Sequence, residues 1–181
     1  MGFQKVVNTD PAIATPGLEV NPGQAVYTAF NYISDGTVEA GGFAFAVAIE
    51  ADAGGPATMN QASKKGSAGA KVLGFVERNL SGVLSSPLIS ASNVYPLGTG
   101  VPIAIRGQFY AVAAAAATEG QSVLCDPTTG AITYGAAGAT NDTGWVVRLP
   151  RGVEEVATGD IVIYENFGLS ITPATGGGVG G

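Results

Sequence analysis

The chain has 181 residues, only 12% of them charged, a formal net charge of −6 and no histidine. Without histidine there is no Ser-His-Asp or Cys-His arrangement, and the commonest general base and metal ligand are missing. The eight basic residues are scattered, so neither a nucleic acid nor an anionic membrane is an expected partner, and we expect a non-enzymatic protein without cofactor or metal.

The first 23 residues predict an extended arm. This segment contains three prolines and shows little hydrophobic periodicity. A proline-rich peptide with few charged residues can lie along the surface of another protein, for example by adding a strand to a sheet. Phe3, Val6 and Val7 are then the candidate anchors on a partner. The alternative is a terminus without fixed structure.

Three strands are predicted in the first half of the domain that follows. Residues 24–33, 42–49 and 71–78 are rich in aromatic and β-branched side chains, or alternate large with small apolar ones. Gly74 lies inside the third of them and predicts a bulge or a bend. Between the second and third strands, residues 51–70 are rich in Gly, Ala and Ser and predict an exposed loop.

The middle of the chain predicts further short strands, at residues 83–89, 92–96, 101–106 and 109–113. The last two are expected to form a pair around Gly107. Residues 111–117 are the one stretch with helix propensity. They follow an aromatic strand and precede a Glu-Gly pair, so we interpret them as strand and loop, with a short helix as the alternative.

The last third of the chain predicts a hairpin and two more strands. Residues 121–125 and 131–134 flank an Asp-Pro-Thr-Thr-Gly turn, in which Pro fixes φ and Gly supplies a positive φ. Residues 144–149 and 160–165 are the further strands. The glycine-rich end of the chain, residues 172–181, predicts a flexible, disordered tail.

Short, regularly punctuated strands with almost no helix predict an all-β fold, either a jelly-roll-like sandwich or a barrel. The expected organisation is an arm over residues 1–23, one domain over residues 24–171 and the tail over residues 172–181. Within that domain, residues 136–171 form a possible added β element.

Four side chains are candidates for chemistry. Cys125 has no histidine to activate it and is interpreted as a small buried hydrophobe. Trp145, the sole tryptophan, is assigned to the core rather than to a sugar-stacking site. Glu50 and Asp52 form a carboxylate pair that could serve a hydrolase, although plain surface charge is the favoured interpretation.

Several short motifs occur in a characteristic order along the chain. They are MGFQ at residues 1–4, GFVER at 74–78, VYPLG at 94–98, VP at 101–102, GQFY at 107–110, GQ at 120–121 and DPTTG at 126–130. This series resembles the phage structural cement proteins of the Bordetella-phage type, over about residues 1–135. Two departures are Glu77, where that family often has His, and Gln108, where it has Asp.

The resemblance implies a jelly-roll-like, non-enzymatic protein that forms dimers or trimers on the outer surface of the virion. There it would join neighbouring major capsid proteins and reinforce the shell. A second hypothesis is a receptor- or glycan-binding β module of a phage tail or spike, with Trp145 and the tyrosine-rich first strand in the site.

Overall fold

A computed structural model describes residues 14–49, 58–79, 93–149 and 152–168 of the chain. Over these residues the protein is all-β, as predicted, and none of them lies in a helix long and apolar enough to cross a membrane. The strands are β1 (Val26–Tyr27), β2 (Tyr32–Ser34), β3 (Phe43–Ile49), β4 (Thr58–Ser63), β5 (Val72–Val76), β6 (Gly100–Val101), β7 (Ile103–Val112), β8 (Ala117–Thr118), β9 (Ser122–Cys125), β10 (Ile132–Gly135), β11 (Asp142–Arg148), β12 (Glu155–Val156) and β13 (Ile161–Asn166).

One large mixed sheet contains most of these strands, in the order β10-β9-β11-β13-β7-β5-β3-β4-β2-β6, with β1 also paired to β7. Strands β8 and β12 form a separate antiparallel pair. Neighbours in the large sheet are antiparallel, except that β2 runs parallel to β4. β3 lies between β2 and β4 in the chain, and β4 comes back to lie beside β2 in the sheet.

Half of the large sheet closes on itself. Pro102 alone separates β6 from β7 in the chain. β6 borders β2, while the start of β7 borders β5. The order therefore returns to its beginning, and β5, β3, β4, β2 and the continuous β6–β7 segment form a ring of five. The remaining strands β10-β9-β11-β13 extend from the C-terminal part of β7, to which β13 pairs at residues 107–112.

An aromatic cluster lies between the ring and the remaining strands. β3 and β11 are four steps apart in the sheet order, which in a flat sheet would separate them by about 19 Å. Yet the ring centroids of Phe43 on β3 and Trp145 on β11 are 6.1 Å apart. The sheet therefore curls over these side chains. The other buried aromatic side chains of the cluster are Phe45, Phe75, Phe109 and Tyr164.

A second, smaller cluster occupies the other side of the ring strands. Successive side chains of a strand point to opposite faces, so Phe43 and Phe45 reach the aromatic cluster while Ala44 between them faces the other way. Ala44 packs there with buried side chains of neighbouring elements, which are Val38, Ala62, Val76, Tyr95, Val101 and Ile103. Many of these are small, as a narrow ring of five strands requires.

The described end of the predicted arm lies along β7. The Gly17 N–H donates to the Tyr110 carbonyl at 2.7 Å, and the Val20 N–H donates to the Gln108 carbonyl at 2.8 Å. β1 continues this pairing along the earlier part of β7, where its two residues lie opposite Arg106 and Ala104. Segment 17–28 thus forms one interrupted edge of the sheet, and residues 1–13 lie outside the described residues.

Two of the strand predictions are wrong in detail. Residues 51–70 are not all an exposed loop, because β4 lies within them and Ala62 is fully buried. Small side chains there fit the interior of the ring, which their composition alone could not show. The two strands predicted on either side of Gly107 are one continuous strand, β7. Gly107 lies inside this strand with φ 137°, and the chain does not turn back there.

The first predicted strand, residues 24–33, is also interrupted. It divides into β1 and β2, and residues 28–31 between them bulge away from the neighbouring strand. By contrast, the β9–β10 hairpin is confirmed, with Gly130 at φ 73° as its turn chemistry predicts. The bulge predicted at Gly74 is confirmed by a register shift between β3 and β5.

Residues 111–117 contain strand and loop, as predicted, and not the alternative short helix. The predicted strand 144–149 corresponds to β11, and 160–165 corresponds to β13. Of the weaker strand 92–96, the structure shows a single bridge from Val94 to Glu39. The predicted strand 83–89 and the tail lie outside the described residues.

Candidate functional site

Exposed apolar side chains gather on two neighbouring antiparallel segments of the ring, residues 26–36 and 97–106. Leu97 is 72% exposed and Phe30 68% exposed, which makes them the two most exposed large apolar side chains among the described residues. Contiguous apolar surface of this kind marks sites of protein–protein contact. We call the surface formed by Tyr27, Phe30, Ile33, Leu97 and Pro102 the outer face.

The strand register explains why these residues share one side of the ring. Tyr27 pairs with Ala104, and Ile33 pairs with Gly100. Directly opposed residues of an antiparallel pair point to the same face, as do residues two apart along one strand. The positions opposite therefore form one row, Gly100, Pro102 and Ala104, of which Ala104 is fully buried against the aromatic cluster. Leu97 stands at the end of this row, beside the Gly36 turn.

A hollow of about 370 Å³ lies in the outer face, next to Phe30. The bulge at residues 28–31 creates it. The Thr28 N–H still donates to the Ile103 carbonyl at 2.9 Å, and the Thr28 hydroxyl donates to the Phe30 carbonyl at 3.0 Å. These bonds fix the base of the bulge while Phe30 projects from it. The lining of the hollow includes Tyr27, Phe30, Asn31, Glu77, Val101 and Pro102.

Glu77 brings a carboxyl group into this hollow. Burial raises the pKa of Glu77, a hydrogen bond from the Tyr27 hydroxyl lowers it, and the charge of Glu19 raises it, with a net upward shift. The pKa of Tyr27 is raised as well, first by burial and then by its hydrogen bond with Glu77. The hollow therefore contains a partly buried carboxyl group that is hydrogen-bonded to a tyrosine.

Backbone contacts hold Glu77 in place at the end of β5. Its N–H donates to the Pro102 carbonyl at 3.0 Å. Its carbonyl accepts a hydrogen bond from the hydroxyl of the buried Tyr95 at 2.6 Å, and the same hydroxyl accepts from the Asn79 N–H at 2.9 Å. The position of the carboxyl is thus set by the ring and not by an exposed loop.

The predicted anchors Phe3, Val6 and Val7 lie outside the described residues, as do Glu50 and Asp52. Sequence reasoning missed the outer face. Tyr27 is an odd number of residues from both Phe30 and Tyr32, so strict strand alternation predicts that it does not share their face. The bulge instead brings Tyr27 and Phe30 to one hollow, while Tyr32 packs against the second cluster.

Two other interpretations of single residues are confirmed. Cys125 is 2% exposed, and burial raises its pKa to about 12, so the thiolate that would act as a nucleophile is strongly disfavoured. Trp145 is 1% exposed and packs among aromatic rings of the core. It offers no ring for a bound sugar. Among the described residues, no cluster of acidic or cysteine side chains could hold a metal ion.

The described residues thus provide an exposed apolar surface and no cluster that could hold a metal ion. A family model described as "Structural cement protein (E217 gp24/Pam3 gp6)" matches residues 3–166. The chain belongs to the phage structural cement family. No curated protein matches it. The match extends beyond the motifs of the first 135 residues and includes β11 and β13.

Membership of the phage cement family makes this chain a structural protein of the bacteriophage capsid. Strands β11 and β13 lie between β9 and β7 in the large sheet. The later part of the matched region is thus built into the same sheet as the motifs that precede it.

Proposed function

We propose that this cement protein binds the exterior of the phage head and joins neighbouring major capsid proteins, which stabilises the shell. The observation that carries the proposal is the family match over residues 3–166. The charge-poor composition agrees with a surface that is largely covered by partners. Each copy needs an interface of only about 1,000 Å², because repetition over a lattice multiplies modest contacts.

The arm is the part of the chain that we assign to the major capsid protein, with Phe3, Val6 and Val7 as anchors. Support comes from its described end. The Gly17 N–H and the Val20 N–H already donate to carbonyls of β7. Because the described end of the arm already pairs with a strand of this protein, we infer that the preceding residues can pair in the same way with a strand of another protein.

Deletion of residues 2–12 tests this assignment. We expect at least about tenfold weaker co-sedimentation with expanded capsids, because three apolar anchors are lost. The melting temperature should be unchanged, since the described pairing with β7 begins at Gly17. Deletion of residues 172–181 serves as the matched control and should leave binding intact. Normal binding by the arm deletion would remove the arm from the capsid interface.

We also propose that copies of the chain associate with one another as dimers or trimers on the outer surface of the virion. The jelly-roll-like form of the domain, and its division into arm, domain and tail, stay predictions. The glycan-binding alternative loses support from the buried Trp145. Binding to a glycan array by the free protein, without co-sedimentation with capsids, would favour that alternative.

A further inference from the structure

The arm meets the sheet at a tight turn, residues 15–18, which we call the Gly17 turn. The Leu18 N–H donates to the Thr15 carbonyl at 3.1 Å, and this hydrogen bond closes the turn. Pro16 and Gly17 occupy the two central positions, and Gly17 has φ 87°. Proline followed by a residue with positive φ is the combination that suits a type II turn. The chain therefore changes direction here, where its pairing with β7 begins.

Three elements close around Gly17. Its N–H donates to the Tyr110 carbonyl of β7 at 2.7 Å, and its carbonyl accepts from the Arg78 N–H, just beyond β5, at 2.8 Å. The backbone that leads into β3 lies on its third side. A Cβ atom added at Gly17 would stand 3.1 Å from the Gly41 nitrogen and 2.8 Å from the Arg78 Cβ atom. Gly17 is buried, although Leu18 beside it is exposed, so this space holds a backbone without a side chain.

We propose that the Gly17 turn positions the arm, because it fixes the point and the direction at which residues 1–14 leave the sheet toward the capsid. The inference rests on the proposed function, in which the arm binds the major capsid protein, and it adds the residue on which that binding depends. Gly17 is a positioning residue, since it is buried within this protein and acts on the capsid only through the arm.

A fixed starting point raises the effective concentration of the arm at its binding site. Once the domain is bound, a tethered arm binds in an intramolecular step, and the strength of that step depends on the length and stiffness of the connection. With the turn closed, the tether starts at Thr15. If the turn opens, the next fixed point is Val20, whose N–H donates to the Gln108 carbonyl at 2.8 Å. The tether is then longer, and its direction is no longer set.

Hydrogen exchange on the full chain tests the turn in the free protein. In Gly17→Ala the added Cβ collides with Arg78, and alanine rarely adopts the required φ. The amide protons of residue 17 and of Arg78 should therefore exchange at least about tenfold faster, while those of the β9–β10 hairpin stay unchanged. Gly23→Ala is the matched control, because Gly23 has a φ of 89° but open space around its Cβ position. It should leave exchange at Gly17 unchanged.

Co-sedimentation with expanded capsids tests the positioning role. Gly17→Ala should weaken binding by at least about threefold, and by no more than deletion of residues 2–12 does. In the chain that lacks residues 2–12, the same substitution should have no further effect, because no arm remains to be positioned. A merely structural effect on the domain would instead weaken binding in both backgrounds. Gly23→Ala should bind as the unchanged chain does.

Pro16→Ala is a second variant, for the case in which Gly17→Ala does not fold. It adds no atom that could collide, and it loosens the turn because proline no longer restricts φ. We expect weaker capsid binding in the same direction as for Gly17→Ala, again only when residues 2–12 are present. Circular dichroism checks the folding of each variant.

The outcomes separate the positioning role from the capsid assignment. Unchanged exchange at residue 17 in Gly17→Ala would overturn the inference, as would binding that is unaffected or that is weakened equally with and without residues 2–12. Each of these results leaves the capsid assignment standing. Faster exchange together with weaker binding in the presence of the arm alone would support both. Normal capsid binding by the arm deletion would contradict the assignment of the arm and, with it, this inference.

Discussion

Gly74 lies where β5 passes closest to β7. A Cβ atom at this position would collide with the carbonyl oxygen of Ala104, and backbone on both sides is held by ladder hydrogen bonds. The glycine is therefore required by the close approach of two strands. The bulge was predictable from a glycine inside a strand pattern, but the neighbour that it approaches was not.

We expect Gly74→Ala to lower the free energy of unfolding by about 3 kcal/mol, because the collision can be relieved only by moving a strand. Urea denaturation followed by circular dichroism measures the change. Gly42→Ala is the control, since an added Cβ there meets only ordinary contact distances. A Gly74→Ala variant as stable as the unchanged protein would contradict the described approach of β5 to β7.

The raised pKa of Glu77 predicts a pH-dependent loss of stability. The folded protein holds this proton more tightly than the unfolded chain, in which the pKa is near its ordinary value of 4.5. The associated stability is fully present below that pH and is lost as the pH rises through the higher pKa of the folded state. Charged Glu77 is therefore destabilising at neutral pH.

Glu77→Gln keeps an acceptor for Tyr27 and removes the charge. We expect its melting temperature to exceed that of the unchanged protein at about pH 7.5, with the difference shrinking as the pH approaches 4.5. Thermal melts at matched protein concentration measure this, with Glu154→Gln, an exposed acid, as control. A pH-independent difference would show that burial of the carboxyl is not the cause.

At the residue scale, burial was more predictable than exposure. Trp145 and Cys125 follow the general tendency of large aromatic and thiol side chains to lie inside, and both do. The position of Phe30 depends on a four-residue bulge that shifts the register between β1 and β2. Strict alternation cannot foresee such a shift, because the bulge depends on a hydrogen bond to the distant Ile103 carbonyl as well as on the local bond from the Thr28 hydroxyl to the Phe30 carbonyl.

Among the elements, the interrupted edge along β7 depends on one side chain. The Glu19 carboxylate accepts hydrogen bonds from three successive backbone N–H groups, those of Gly23, Gln24 and Ala25, at 2.9, 2.8 and 2.6 Å. Residues 21–25 leave the ladder at this point. The carboxylate satisfies their donors and joins the first part of the edge to β1.

Glu19→Ala should cost about 1 kcal/mol of stability, because three charge-assisted bonds at a solvent-accessible site are lost. Hydrogen exchange should accelerate in segment 17–28 and remain unchanged in the β9–β10 hairpin. Glu154→Ala provides a matched loss of an exposed acid. Equal acceleration in both regions would indicate global destabilisation and contradict a local role for Glu19.

The sequence predicted where several of the strands lie, but it did not predict which strands pair with one another. Turn residues and aromatic or β-branched runs located β5, β9, β10, β11 and β13. β7 was divided at Gly107 because a glycine between two apolar runs resembles a hairpin turn. β4 was missed because its Thr, Asn, Gln and Ser residues resemble a loop, although Ala62 and Ser63 are buried.

For the whole molecule, the ring of five strands is one half and the strands β10-β9-β11-β13 are the other, and the two halves share β7 and one aromatic cluster. Phe75 of the ring lies 5.0 Å from Phe109 and 5.6 Å from Trp145, measured between ring centroids. Neither half can lose its structure without exposing these side chains. The chain order of the sheet, with β2 parallel to β4, depends on contacts between distant residues, so ring closure was not accessible from sequence patterns.

The shared cluster predicts a single cooperative unfolding transition. Trp145, the sole tryptophan, reports on the cluster by fluorescence, and far-UV circular dichroism reports on all strands. The two urea curves should superimpose. Phe75→Leu should move both midpoints to lower urea together, because the lost ring contacts belong to both halves. Loss of Trp145 fluorescence at a lower midpoint would reveal two independent units.

Closure of the ring also affects the tendency of the protein to aggregate at high concentration. Exposed strand edges invite edge-to-edge aggregation, since their free backbone groups template another chain. Strands β2, β3, β4 and β5 each have a neighbour on both sides, whereas β10 has only β9 among the described residues. Among the described residues, edge-to-edge stacking is thus directed to the edges that remain, which are β10 and β1, the latter paired with β7 alone. A lysine introduced at Thr133 would protect the β10 edge during concentration or storage.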